Sequence, residues 1–308
     1  MIYGYTRLTC FQQCPLKFKY NYVEGIETGG NKYVLLGSLF HEALAEHYRG
    51  KDVEPVFKKY RKAVRHSQLD TDEDLLEYMI DLYIGHYKDS YRNLAIEYTF
   101  SDKLLKGDVF EGTTDRVFED ESGNIILLDT KTTQGKLKYT PSMVRTNPQL
   151  LLYVPFVQSK LGITVSGICI DEVRMARLQE VPINKNGRPT IDKGRLELVT
   201  YEKYLTTLQS MGLETYPEYQ NTLEYLSKRG HPLFSRIQYG PIEKNLIDSN
   251  LLDFQNTYKT AREGYYYRKR GPLCNFCDYS ELCQMDAFGV SELEREMHIK
   301  HISTPSQP

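Results

Sequence analysis

Glu111-Gly112-Thr113-Thr114-Asp115-Arg116-Val117-Phe118 and Gly123-Asn124-Ile125-Ile126-Leu127-Leu128-Asp129-Thr130-Lys131-Thr132 decide the fold of this chain. Both stretches are rich in β-branched and apolar residues, and the polar segment from Asp120 to Asn124 reads as a turn between them. The pattern predicts strands over about 108–119 and 124–131. The apolar run from Ile125 to Leu128 marks the second strand as buried on both faces. Side chains along a strand alternate, so Asp129 and Lys131 share a face. Asp115, Asp129 and Lys131 then meet where the hairpin ends. Carboxylate oxygens gathered there suit Mg²⁺ or Mn²⁺. A lysine beside them can orient a water and offset charge developing on a phosphate. Asp-x-Lys by itself also fits a solvated hairpin with surface charges. Its place at the end of a buried strand favours a site.

Working outward, the spacing of apolar residues predicts helices over 6–24, 37–49, 53–65 and 72–93. A strand is expected over 95–101, a helix over 147–161 between Pro148 and Gly162, and a strand over 164–175. Residues 180–195 read as a polar loop or hairpin, 200–229 and 242–269 as helices, and 233–239 as a short strand. The tail 303–308 is expected to be disordered. This order predicts an α/β fold with a mixed central sheet flanked by helices and a helical annex built from both chain ends.

Charged residues make up 26% of the 308 and apolar residues 40%, which places the chain among soluble globular proteins. No stretch is long and apolar enough for a membrane span, and Met1-Ile2-Tyr3-Gly4-Tyr5-Thr6-Arg7 lacks the pattern of a secretory signal. A cytoplasmic protein is the expectation. The net charge is −2, so any phosphate binding has to be local.

Four further groups carry candidate chemistry. His41 lies on the helix that begins near Gly37, with Leu44 and Tyr48 near the same face, and reads as either a core histidine or a ligand. Gln149 and Tyr153 share one face of the 147–161 helix, either over the site or as an exposed polar pair. Cys274, Cys277 and Cys283 have ligand spacing but need a fourth donor, for which Cys14, Cys10 and Cys169 are candidates. Cys169 sits mid-strand and reads as a small apolar residue. Zinc and a 4Fe–4S cluster fit that spacing equally. Tyr258-Lys259, Arg262 and Tyr265-Tyr266-Tyr267-Arg268-Lys269-Arg270 could form a track for a nucleic-acid strand or simply a solvated helix end. Lys58, Lys59, Arg61, Lys62 and Arg65 read as a solvated helix face.

Taken together, these residues resemble the PD-(D/E)XK nuclease superfamily, and within it the RecB-like exonucleases with an iron–sulfur cluster. AddB-type nuclease domains and the nucleases linked to CRISPR spacer acquisition belong to that group. The resemblance runs from about residue 6 to 286. It is carried by Cys14-Pro15, Gly37…His41, Gly112-x-x-Asp115, Asp129-x-Lys131-Thr132, Gln149-x-x-x-Tyr153 and Cys274…Cys277…Cys283. It implies a restriction-endonuclease-like core in which His41, Asp115 and Asp129 bind Mg²⁺ or Mn²⁺, helped by the Thr130 carbonyl. Lys131 would position the attacking water, and Gln149 and Tyr153 would complete the motif. Cys14 would be the fourth ligand of a 4Fe–4S cluster that staples the chain ends together. Glu97 resembles a recurrent acidic position of less certain role.

The implied layout is one domain over 1–302, with its core at about 30–175, an insert at about 176–240, and a cluster region formed by about 6–24 and 262–288. The implied activity is a metal-dependent DNA exonuclease that prefers single-stranded ends. Its partners would be DNA and a recombination, replication or CRISPR-adaptation protein, with no membrane. There is no phosphate-binding Gly-x-x-x-x-Gly-Lys-Ser/Thr loop, so the helicase motor of AddB-type proteins is not expected within these residues. The insert, with Asn184-Lys185-Asn186-Gly187, is similar to that of stand-alone phage and prophage members. The competing readings are a catalytically silent or partner-activated DNA-binding assembly protein, and a zinc-stapled interaction module.

Overall fold

Ile126, Leu127 and Leu128 lie in the middle of the sheet, each at most 1% exposed, as their unbroken apolar run requires. A computed structural model describes residues 1–28, 32–66, 69 and 71–303. In chain order its strands are β1 (Ile2–Tyr3), β2 (Arg92–Lys103), β3 (Val109–Glu119), β4 (Ile125–Thr133), β5 (Gly167–Arg174) and β6 (Phe234–Tyr239). The first five helices are α1 (Tyr5–Gln13), α2 (Pro15–Phe18), α3 (Lys32–Tyr48), α4 (Glu54–Arg65) and α5 (Leu75–Tyr87). They are followed by α6 (Pro141–Arg145), α7 (Pro148–Leu161), α8 (Tyr201–Ser210), α9 (Pro217–Arg229), α10 (Lys244–Glu263), α11 (Ser280–Phe288) and α12 (Glu292–Ser303).

β3 pairs antiparallel with β2 along most of its length, and with β4 only from Glu119–Ile125 to Arg116–Leu128. β4 runs parallel to β5, which needs a crossover, and α6 and α7 supply it. β6 closes the sheet antiparallel to β5, and β1 adds a short parallel pairing to β3. Alternate residues feed opposite faces. Val117, Leu127, Ile168 and Ile170 pack against α1, α7 and α10 through Phe11, Leu151, Val154 and Phe254. Phe118, Ile126, Leu128 and Cys169 form the opposite layer. α3, α4 and α5 pack together around Phe40, Phe57, Tyr60, Met79 and Tyr83, which meet Val173 of β5 and Phe234 of β6. No described helix is long and apolar enough to cross a membrane.

The sheet and the flanking helices agree with the expected mixed α/β core, but several boundaries differ. The helix expected over 6–24 breaks at Cys14, whose backbone is extended ahead of Pro15. The helix expected over 72–93 stops at Tyr87, where Lys88 turns left-handed and the chain enters β2. The helix expected over 200–229 is two helices, divided by Gly212 at φ +66 and Pro217. The helix expected over 242–269 ends at the left-handed cap Gly264. Within the insert, α8, α9 and the loops before them pack their own small core around Leu196, Tyr204, Tyr219 and Leu226. The insert boundary expected at 240 shifts, because residues 234–239 are the sheet's edge strand. Of the tail expected to be disordered, Ser303 ends α12 and its hydroxyl donates to Glu27 O, while 304–308 lie outside the described residues.

Candidate active site

The site forms where β3 and β4 part. Beyond the Arg116–Leu128 pair their ladder stops, and Thr130 N donates instead to Asp115 Oδ2 at 2.6 Å. That bond satisfies a buried backbone donor and fixes one carboxylate oxygen at the hairpin's end. Asp129 is only 5% exposed. Gln149 reaches it from the first turn of α7, which Asn147 caps by accepting from Leu150 N. Gln149 Nε2 donates to Asp129 Oδ1 at 3.2 Å, and Lys131 Nζ donates to Gln149 Oε1 at 2.8 Å. Lys131 Nζ also lies 2.7 Å from Asp129 Oδ2. That last contact is a close ion pair between a buried carboxylate oxygen and the lysine ammonium.

His41 arrives from α3, whose approach depends on Gly37. A Cβ at Gly37 would stand 2.7 Å from Thr132 Oγ1, so glycine lets the helix lie close to β4 with that hydroxyl undisturbed. One turn later His41 Nδ1 lies 3.3 Å from Asp115 Oδ2. Glu97 completes the group. It has φ +46, a left-handed conformation unusual for a non-glycine residue, and strain of this kind gathers at functional sites. The pairs Ile96–Arg116 and Tyr98–Thr114 bracket it, so Glu97 and Asp115 face each other across the ladder. Ligand atoms of His41, Glu97 and Asp115 all lie within 4.8 Å of one another. An open cleft of 690 Å³ leads to them past Arg49 and Thr132.

Crowding governs the electrostatics. Burial, reinforced by the nearby Asp115 carboxylate, pushes Asp129 up to about 6 and Glu97 up to about 7. Burial works against charge on His41 and Lys131, but Asp115 outweighs it for His41 and Asp129 for Lys131, so both are raised. Three carboxylates thus share one imidazole and one ammonium. The imidazole nitrogen of His41 with carboxylate oxygens of Glu97 and Asp115 forms a set that fits a hard divalent cation.

The structure gathers most of the expected residues, but regroups them. His41, Asp115 and Asp129 were the expected metal set. The tightest trio is His41, Glu97 and Asp115, with Asp129 turned toward Lys131 and Gln149. Glu97 had a signal in the sequence: a lone charge inside the strand-like Leu94-Ala95-Ile96-Glu97-Tyr98-Thr99-Phe100. Tyr153 is buried one turn beyond Gln149, its ring edge-on to Phe100 with centroids 5.1 Å apart. Burial, then the Asp129 charge, pushes its hydroxyl up to about 12.

A second cluster lies at the chain ends. Cys14, Cys274, Cys277 and Cys283 line one cavity of 730 Å³. Cys10 and Cys169 do not. Cys10 is buried against the main core and burial pushes its thiol up to about 11, while Cys169 is buried within β5. The basic and aromatic track expected over 258–270 is divided. Tyr258 is buried, and its hydroxyl and Arg262 Nε both donate to Asp108. Tyr266 stacks over Phe18, and Lys269 donates to Gln12 O. Tyr265 and Tyr267 remain 66% and 58% exposed. Lys59, Arg61 and Arg65 form ion pairs along the surface of α4 and its neighbours, as a solvated face should.

No curated protein matches this sequence. The chain is similar to the crystal structure of SSO0001, at 9% identity over 92% of this chain and 85% of that one, with a TM-score of 0.37. It is also similar to a protein from Eubacterium rectale assigned provisionally as an exonuclease, at 11% identity over 89% of this chain and 91% of that one, with a TM-score of 0.36. The family described as the PD-(D/E)XK nuclease superfamily matches residues 4–284. Because that match spans nearly the whole chain, both strands of the hairpin included, the chain belongs to the PD-(D/E)XK nuclease superfamily.

Proposed function

We propose that this chain is a divalent-metal-dependent nuclease that hydrolyses DNA phosphodiester bonds, acting as an exonuclease on single-stranded ends. The observation that carries the reading is the Asp129–Lys131–Gln149 triangle set against His41, Glu97 and Asp115. His41, Asp115 and Asp129 would hold Mg²⁺ or Mn²⁺, with the Thr130 carbonyl assisting and Glu97 as an additional donor. Such an ion, when bound, polarises the phosphoryl oxygen and neutralises part of its charge. Lys131 does the rest of the positioning. An ammonium has three donors. Gln149 takes one and Asp129 faces another, which leaves one to aim at the attacking water and the charged phosphate. Gln149 locks the lysine in this orientation, and Tyr153 packs beneath it.

Exposed Tyr265 and Tyr267 beside Arg270 support binding to unpaired strands, with bases on rings and phosphates on cations. The shared cavity supports Cys14, Cys274, Cys277 and Cys283 as the thiolates of a 4Fe–4S cluster, since the other two cysteines are buried elsewhere.

The test uses anaerobically purified protein with end-labelled single- and double-stranded DNA, in Mg²⁺, Mn²⁺ or EDTA, beside Asp129→Ala. Cleavage that needs the metal and falls at least about a thousandfold in the variant is expected. Equal cleavage by Asp129→Ala would remove the assignment. Folded wild-type protein that cleaves nothing in either metal would point to a binding or partner-activated role.

A further inference from the structure

Arg116 follows Asp115 directly and points to the opposite face of β3. It is 1% exposed, and nothing in the proposed chemistry uses it. Its guanidinium touches each of the three elements that bring His41, Glu97 and Asp115 together. Toward α3 it lies 3.9 Å from the ring centroid of Tyr48, on the helix that carries His41. Toward β2, its Nε donates to Asn93 Oδ1 at 2.7 Å, on the strand that carries Glu97. Asn93 Nδ2 in turn donates to Tyr48 O at 3.0 Å, closing the triangle. The third element, β3, is its own. Arg116 and Tyr48 share a small cavity of 10 Å³ with His41, Glu97, Asp115 and Thr130, so they form the floor beneath the trio.

A bare guanidinium beneath a cation site would repel the cation. Here its charge is matched by Asp89, whose Oδ2 lies 2.8 Å from Nη1. Asp89 also pairs with Arg236 at 2.6 Å, and Arg236 holds Asp171 through Nε and Nη2. Asp171 is the β5 neighbour of Thr130. The underside of the site is therefore a neutral, hydrogen-bonded lattice spanning four strands. Buried ion pairs are weak evidence of stability by themselves. The position of this one beneath the trio suggests another use.

We propose that Arg116 is a positioning residue that sets the affinity of the His41–Glu97–Asp115 group for a divalent cation by fixing the spacing of α3, β2 and β3 from beneath. The inference rests on the metal reading given above. Arg116→Lys keeps the charge but loses the fork that reaches Asn93 and Asp89 together. Groups that orient metal ligands typically change affinity about ten- to a hundredfold when altered.

The test is a Mn²⁺ titration of the full chain without DNA, by calorimetry or electron paramagnetic resonance, held well below each variant's melting temperature. Wild type, Arg116→Lys, Asn93→Ala and Asp115→Asn are compared. Arg116→Lys is expected to weaken Mn²⁺ binding about tenfold or more, and Asn93→Ala by a smaller factor in the same direction. Excess Mn²⁺ is expected to restore DNA cleavage in Arg116→Lys. If Arg116→Lys and Asn93→Ala fold, melt earlier and bind Mn²⁺ as wild type does, Arg116 is structural only and the proposal fails. If Arg116→Lys does not fold, Asn93→Ala decides alone on the same criterion. Wild type that binds no Mn²⁺, or binding that survives Asp115→Asn, overturns the metal reading itself and this inference with it. Loss in Asp115→Asn with no change in the other two variants overturns this inference alone.

Discussion

The carboxylate site and the thiol cavity are held in different ways. Around the first, every donor sits on a regular strand or helix of the core, and Arg116, Asp89, Arg236 and Asp171 brace the sheet below. Around the second, Cys274 and Cys277 sit at a short helical turn with exposed neighbours, Phe276 being 85% exposed. Among the described residues the buried apolar set there is small, Tyr20, Ile26, Tyr279 and Leu282, with Leu16, Ile299 and Ile302 partly buried against it. The first site keeps its shape because the fold dictates it. The second joins residues from both chain ends around a smaller core, so the proposed cluster would carry much of the load there.

That contrast yields its largest predicted effect when the thiols are removed. On the proposal that these thiols hold a 4Fe–4S cluster, amides in α2, α11 and α12 should exchange about a hundredfold faster in Cys277→Ser or after chelation of iron. Amides in β3, β4 and β5 should stay protected. Hydrogen exchange read by mass spectrometry resolves the two regions. Uniform loosening of the whole chain, or no change anywhere, would break the contrast.

A smaller effect tests the rigidity of the first region. A Cβ at Gly112 would stand 2.6 Å from Phe100 Cζ and 3.0 Å from Tyr153 Cε1. Both atoms belong to buried rings with no room to turn. Gly112→Ala should therefore lower stability by about 1–3 kcal/mol, measured by urea unfolding. Gly37→Ala is the comparison. Its new atom meets a threonine hydroxyl, which can rotate away, so its stability should fall less. Equal losses from the two variants would mean that the rings beneath Gly112 yield as easily as a hydroxyl.

The hairpin was readable because strand period and apolar run are local signals, and those two alone bring Asp129 and Lys131 onto one face beside Asp115. Helix geometry put Gln149 and Tyr153 on one face and left open whether that face covers the site or meets solvent; the resemblance implied the first. The role of Glu97 was harder to read because its carboxylate reaches the site through a left-handed backbone angle, which no composition rule announces. The split of the 258–270 track was hidden for another reason. Asp108 captures Tyr258, Arg262 and the chain's amino terminus together, a choice made by tertiary contacts across the whole sequence. The lattice beneath the site was equally invisible, since Asp89, Arg116, Asp171 and Arg236 share no spacing.

Acid sets both regions against a third. His231 closes a cavity of 740 Å³ between α5 and the insert, stacked on Phe234 with centroids 4.7 Å apart. His86 of α5 faces it at 4.6 Å, Glu202 approaches from α8, and Arg229 lies at the end of α9. Burial, helped by His86 and Arg229, lowers His231 from its ordinary 6.5 to about 4. Its Nδ1 accepts from Leu233 N at 3.3 Å, and a protonated ring could not accept there. Between these two pH values the unfolded chain takes up a proton that the folded chain refuses. The contribution to stability is therefore complete above about pH 6.5 and is lost as the pH falls toward 4, by about 2 kcal/mol once water in the open cavity is allowed for. Urea midpoints from pH 7 to 4.5 should fall less steeply in His231→Gln than in wild type. An unchanged slope would assign acid lability to groups outside the insert seam, and the seam would drop out of the comparison.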